Sequence, residues 1–231
     1  MSIKDINNDP EMLKKWIDDY RARDEQYLAE HPDSLLPDFE KEIRDLGFQF
    51  LMRENILDFM PKQKKEILPI AIKYYNLAKE CGRDNEQNYF LGFFHCNGLE
   101  EVIPMLLEDY YSNETKDLTR WFISDCLYQI RSKKYIAEYI KIVSNPKFAR
   151  NRQLIVLLLG KLKVESAIPV LIELLEDEDV RMHAIDSLGQ FKREEFRCHF
   201  ERFENSPQYG WRKNARTAIK KLDSLKSSTI Q

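Results

Sequence analysis

Glycine is scarce in this chain, 7 residues in 231, and proline is modest at 9. A sheet-rich fold needs more turn chemistry than that, so helices are expected. No apolar run approaches the roughly 18–20 residues of a membrane-spanning helix, and no membrane partner is expected. The opening stretch Met1 to Pro10 is polar and lacks the apolar region of a secretion signal, which points to a cytoplasmic location. The four cysteines, Cys81, Cys96, Cys126 and Cys198, lie far apart and form no CxxC pair. That spacing supplies no structural zinc site, and each reads as a buried free thiol. His31, His95, His183 and His199 have no metal-ligand partner four residues on. GxGxxG, P-loop, GxSxG and HExxH motifs are all missing, so no cofactor and no metal are expected, and the chain reads as a non-enzyme.

Charge is present in quantity but unevenly placed. Residues 1–110 carry 14 Lys and Arg against 23 Asp and Glu, a net of −9, while residues 111–231 carry 22 against 16, a net of +6. Such an asymmetry can steer a charged partner toward one end, although a solvated surface of local bias is the plainer reading.

The feature that organises the chain is a period. Arg120, Arg152, Arg181 and Arg212 recur at spacings of 32, 29 and 31 residues, each opening a similar apolar segment. A second segment type carries a proline: Glu66 to Ile72 around Pro69, Glu101 to Leu107 around Pro104, and Glu165 to Leu171 around Pro169. A copy at Tyr135 to Val143 lacks it. Each proline is expected in a first helical turn, where its missing N–H costs nothing. Self-similarity at this period signals stacked helix pairs, about five of them, with polar turns such as Glu176 to Asp179 between. One arginine per repeat favours a structural role, bridging turns, over an anion site.

Ahead of the periodic region two helices are expected. Asn8 or Asp9 can cap the first, with Pro10 at its first position and Met12, Leu13, Trp16, Ile17 and Tyr20 at helical spacing. The second is expected from about Leu35 to Phe59, with Phe39, Ile43, Leu46, Phe50, Leu51 and Ile56 on one face and Pro61 ending it. The expected organisation is therefore N-terminal helices over 1–62 packed on the same solenoid, repeats over 63–224, and a frayed tail over 225–231.

The stretch Ala167-Ile-Pro-Val-Leu-Ile-Glu-Leu-Leu175 through Val180-Arg-Met-His-Ala-Ile-Asp-Ser-Leu-Gly189 resembles HEAT repeats, in the short variety of about 30 residues found in bacteria. The resemblance covers roughly Lys64 to Leu222. It implies an all-α right-handed superhelix, here with two N-terminal capping helices. It also implies second helices lining the concave side, and an Asp–Arg ladder between repeats. Asp177 departs from the family's form, standing only four residues ahead of Arg181, so the ladder is not counted on there.

Projecting the Arg181 helix at about 100° per residue puts Val180, Ala184, Ile185 and Leu188 in a buried stripe. Met182, Asp186 and Gln190 then lie opposite. Aligned on the arginines, the matching positions are Trp121, Asp125 and Gln129, then Gln153, Leu157 and Lys161, then Lys213, Thr217 and Lys221. These form a candidate groove wall, aromatic and acidic at one end and basic at the other. A solenoid of this kind binds along an extended surface, so a protein-binding scaffold or adaptor with an unidentified protein partner is expected. An immunity or chaperone-like role follows by fold analogy alone. The alternative is nucleic-acid binding. Trp121 and Asp125, four apart on one helix face, also resemble the Trp and Asp residues of HEAT-like alkylpurine DNA glycosylases. That resemblance implies stacking by Trp121 and charge stabilisation by Asp125.

Overall fold

The computed structural model describes residues 10–229, with side chains for 10–53 and 55–225. The proposed caps Asn8 and Asp9 lie outside the described residues. Every regular element among those described is helical, and the chain divides into two compact units, Met1–Cys96 and Asn97–Gln231.

In the first unit α1 spans Pro10–Glu30, α2 Leu36–Asp45, α3 Met60–Glu80 and α4 Asp84–Leu91, with a 3-10 turn at Arg53–Phe59. The single long helix expected over 35–59 is therefore wrong. It stops at Asp45 because Gly47 takes a left-handed φ of 91° and its N–H closes onto the Arg44 carbonyl at 2.8 Å. Leu46 and Leu51, assigned to its apolar face, are exposed, while Phe39, Ile43 and Ile56 are buried. Pro61 opens α3 instead of ending a helix, since the first turn needs no N–H from it. Pro69 lies inside α3, not in a first turn, so only Pro104 and Pro169 sit where the pattern placed all three. The core of this unit is aromatic: the Phe39 ring meets Tyr74 at 5.5 Å, Phe90 at 5.0 Å and Phe93 at 5.2 Å, all edge to face.

Helix α1 buries none of its residues. It is tied down along one face by Tyr20, Asp24 and Tyr27. The Tyr20 hydroxyl accepts the Arg53 backbone N–H at 3.2 Å, and Asp24 pairs with the Arg53 guanidinium at 2.8 Å. The Tyr27 hydroxyl donates to Glu86 at 3.1 Å. Glu86 is 1% exposed and also accepts the Leu35 N–H at 3.0 Å, so its burial is offset by bonding.

The second unit is a stack of antiparallel pairs. Helices α5 (Ile103–Tyr111), α7 (Ile136–Ser144), α9 (Ile168–Glu173) and α11 (Arg197–Glu201) are the first members. The second members are α6 (Asp117–Ile130), α8 (Gln153–Lys161), α10 (Arg181–Phe191) and α12 (Tyr209–Thr229). Second members pack on second members, α6 on α8, α8 on α10 and α10 on α12. The stripe predicted for α10 is buried at Val180, Ala184, Ile185 and Leu188. Helices α8 and α10 pack closely at Gly160, where a Cβ would lie 2.5 Å from the Ser187 Cα. The Ser187 hydroxyl, in turn, donates to the Val156 carbonyl at 2.8 Å. Helix α12 continues through Leu225 to Thr229, where fraying was expected; Ile230 and Gln231 lie outside the described residues.

The four periodic arginines share one task. Each turns back to carbonyls at the end of the preceding helix or in the turn after it, groups that helix geometry leaves without donors. Arg120 donates to Tyr110 and Ser112, both at 2.9 Å. Arg152 donates to Val143 at 3.1 Å and Ala149 at 2.9 Å. Arg181 reaches Leu175 at 2.6 Å and Glu176 at 3.0 Å. Arg212 reaches Ser206 at 2.5 Å and Pro207 at 3.2 Å. Asp177, discounted from the ladder, pairs with Arg152 of the preceding repeat at 2.6 Å. That pair is a rung between neighbouring repeats at the point where none was counted on.

Three second-member helices end alike. Arg131, Lys163 and Lys192 follow α6, α8 and α10 with φ of 59°, 51° and 55°. After α8 the N–H of Lys163 meets Gly160 and that of Val164 meets Leu159, both at 3.0 Å, the paired closure of a left-handed C-terminus.

Candidate functional site

The predicted wall falls on α6, α8, α10 and α12, and its members meet different fates. Trp121 is 39% exposed, and the Phe122 ring meets it edge to face at 5.4 Å. Asp125 and Asp186 are both half-buried and both accept from the glutamine one turn on, Gln129 and Gln190, at 3.3 Å. Gln153 is spent on structure, donating to the Asp179 carbonyl at 2.7 Å and so stitching α8 to the turn before α10. Met182 packs so tightly on α12 that a Cβ at Gly210 would lie 2.6 Å from its sulfur. Lys213 is exposed, its ammonium 5.9 Å from the Tyr209 ring, and Lys221 is half-buried.

Three members come together. Lys161, Asp186 and Gln190 surround a cleft of about 210 Å³ whose other lining is Tyr128, Leu157 and Ser187. The Lys161 ammonium sits 4.4 Å from the Tyr128 ring centroid and donates to its hydroxyl at 3.2 Å. Among the described residues neither Lys161 nor Asp186 has an oppositely charged side chain within salt-bridge range. Leu157 supplies an apolar wall between them. Such a cleft can seat one side chain and engage a polar group of either sign at its rim. Trp121 and Asp125 line no part of it.

Tyr128 and Ser187 were missed. Tyr128 stands seven residues after Trp121, two turns along the same face, and that spacing was the available signal. Ser187 had none: a buried hydroxyl reads as core until the close approach of α8 is seen. Beside the cleft, His183 is half-buried with its Nδ1 buried and unpartnered. Burial holds its pKa below the ordinary 6.5, and the Asp186 carboxylate pulls weakly the other way.

Of the cysteines only Cys126 is buried; Cys81 and Cys198 are exposed and Cys96 half-buried, which corrects the expectation of four buried thiols. Burial pushes the Cys126 thiol well up. Among the described residues no three His, Cys, Asp or Glu side chains gather as metal ligands, and no helix is long and apolar enough to cross a membrane.

Stacked helix pairs in which second members pack on second members define an α-solenoid repeat protein. A family model described as HEAT repeats matches residues 136–220, the stretch from α7 through most of α12. The chain matches no curated protein and no solved structure. The likeness to alkylpurine DNA glycosylases gains nothing from these comparisons.

Proposed function

We propose that this chain is a non-enzymatic protein-binding scaffold that docks a partner on the face formed by α6, α8, α10 and α12. The observation that carries the proposal is the cleft of Tyr128, Leu157, Lys161, Asp186, Ser187 and Gln190. An apolar wall flanked by a cation and a carboxylate without counter-ions suits a protein side chain and its neighbouring backbone. Trp121 adds an exposed aromatic anchor on the same helix as Tyr128. Rigid stacked helices favour docking with little refolding. An adaptor, a toxin-neutralising immunity protein and a single-partner chaperone would all work this way.

The base-excision reading has less support. Gln129 holds Asp125 just as Gln190 holds Asp186, which marks a repeated decoration and not a singular catalytic acid.

A photo-crosslinking residue placed at Leu157 is expected to trap a protein in cells, and Lys161→Glu is expected to reduce that adduct. The same residue at Glu173, exposed on α9, is expected to trap far less. Equal trapping from both positions, or a nucleic-acid adduct alone, rules the proposal out.

A further inference from the structure

We infer that the docked partner is an acidic amphipathic helix whose carboxylates run along Arg131, Lys163 and Lys192. This rests on the scaffold reading above and names the partner's chemistry.

The first observation is backbone conformation. All three residues are left-handed, a state that favours glycine and disfavours long side chains. One repeat could tolerate that by chance; three successive second-member helices end the same way, with a cation each time. At α8 complementing the helix dipole does not require it, because Lys161 already stands in the last turn and Lys163 is kept as well, whereas at α6 and α10 Arg131 and Lys192 also complement the dipole. Strain retained at a regular interval points to a use for the side chain.

The second observation is charge. All three are exposed, and among the described residues none has a carboxylate within salt-bridge range. Nearby acids are already engaged: Glu165 by Arg193 at 2.5 Å and Glu100 by the Ser132 hydroxyl at 2.7 Å. The row is a line of free cations.

The third observation is spacing. Packed helices lie about 8–10 Å apart, so the cations recur at roughly that interval. Residues seven apart on a helix share a face and lie about 10.5 Å apart. A helix with glutamate or aspartate at every seventh position therefore meets each cation once. Phosphates of one nucleic-acid strand recur at about 3.4 Å, several to each cation, and fit the row less well. The cleft agrees with the helix. Its residues Tyr128, Lys161 and Gln190 stand within three positions of the cations, so an apolar side chain one turn from a glutamate reaches Leu157.

The test uses the full chain and a labelled synthetic helix with three glutamates seven residues apart and leucines one turn away. Fluorescence anisotropy is expected to show binding that weakens as salt rises. The triple variant Arg131→Gly, Lys163→Gly, Lys192→Gly should weaken it at least about tenfold. Its melting temperature should hold or rise, since glycine relieves the left-handed strain at each turn. A peptide with lysine in place of glutamate should not bind. Equal affinity of wild type and triple variant, equal binding of the lysine peptide, or tighter binding of a single-stranded oligonucleotide overturns the inference. Mapping the adduct trapped from Leu157 separates this failure from that of the scaffold. A protein trapped through a neutral or basic segment sinks the acidic helix and leaves the scaffold standing; no protein adduct sinks both.

Discussion

Arg152 shows what a periodic residue does at the smallest scale. It is 2% exposed and joins two carbonyls of its own repeat to Asp177 of the next. Removing it would leave those carbonyls without their donor and take the guanidinium from the Asp177 carboxylate, which keeps the Asp179 N–H. Arg152→Leu should therefore cost about 3 kcal/mol, read as a lower urea midpoint. Arg150→Leu should cost under about 0.5 kcal/mol, because that side chain is 81% exposed with its Asp179 contact at 3.4 Å. His183 gives a pH dependence. Its folded pKa lies below the ordinary 6.5, so the unfolded chain binds its proton more readily. The stability it contributes is complete above 6.5 and is lost as pH falls toward and through its lowered folded value. Urea midpoints measured between pH 7 and pH 5 should fall less for His183→Met than for wild type; an equal fall would show that other groups control the acid limb. Sequence disclosed the arginine period and the structural role it implied. It could not disclose that Gln153 and Met182 are occupied, because a helical wheel gives direction and says nothing of what a neighbouring repeat puts in the way.

Among the elements, legibility followed the strength of the local signal. The apolar stripe of α10 and the prolines opening α5 and α9 were readable, since periodicity and first-turn chemistry are local. The break after α2 was also written locally, in Gly47, but a long apolar face across 35–59 outweighed it. Pro69 deceived for a different reason: the motif around it matches the others, yet α3 begins nine residues earlier, at Met60. The cleft depends on the close approach of α8 and α10, which one glycine permits. Gly160→Ala should cost about 1–3 kcal/mol, because the obstruction is backbone and no rotamer change relieves it. The same variant should lose the Leu157 adduct even at temperatures where circular dichroism shows it folded, since Lys161 moves with the helix. An adduct of undiminished yield would mean that the spacing of α8 and α10 does not shape the cleft.

At the scale of the molecule, two units differ in how they are held. The second is a stack in which every pair buries apolar side chains against the next. The first includes α1, in which no described side chain is fully buried and Tyr20, Asp24 and Tyr27 bond to Arg53 and Glu86. Hydrogen exchange should therefore find the amides of 10–30 at least about a hundredfold faster than those of α8. Matched protection would show that α1 is anchored by more than these bonds. The composition of the first 60 residues foretold helices, but it contained no repeat to say what those helices would share a core with. The arginine caps reach furthest. Arg120, Arg181 and Arg212 close these bonds within their own helix pair, so those three pairs carry their caps with them, while Arg152 also reaches Asp177 of the next pair. A gene encoding such pairs can gain or lose a copy by recombination without redesigning the flanking turns. The length of the face formed by the second members then becomes a heritable variable, set by copy number and not by point substitution.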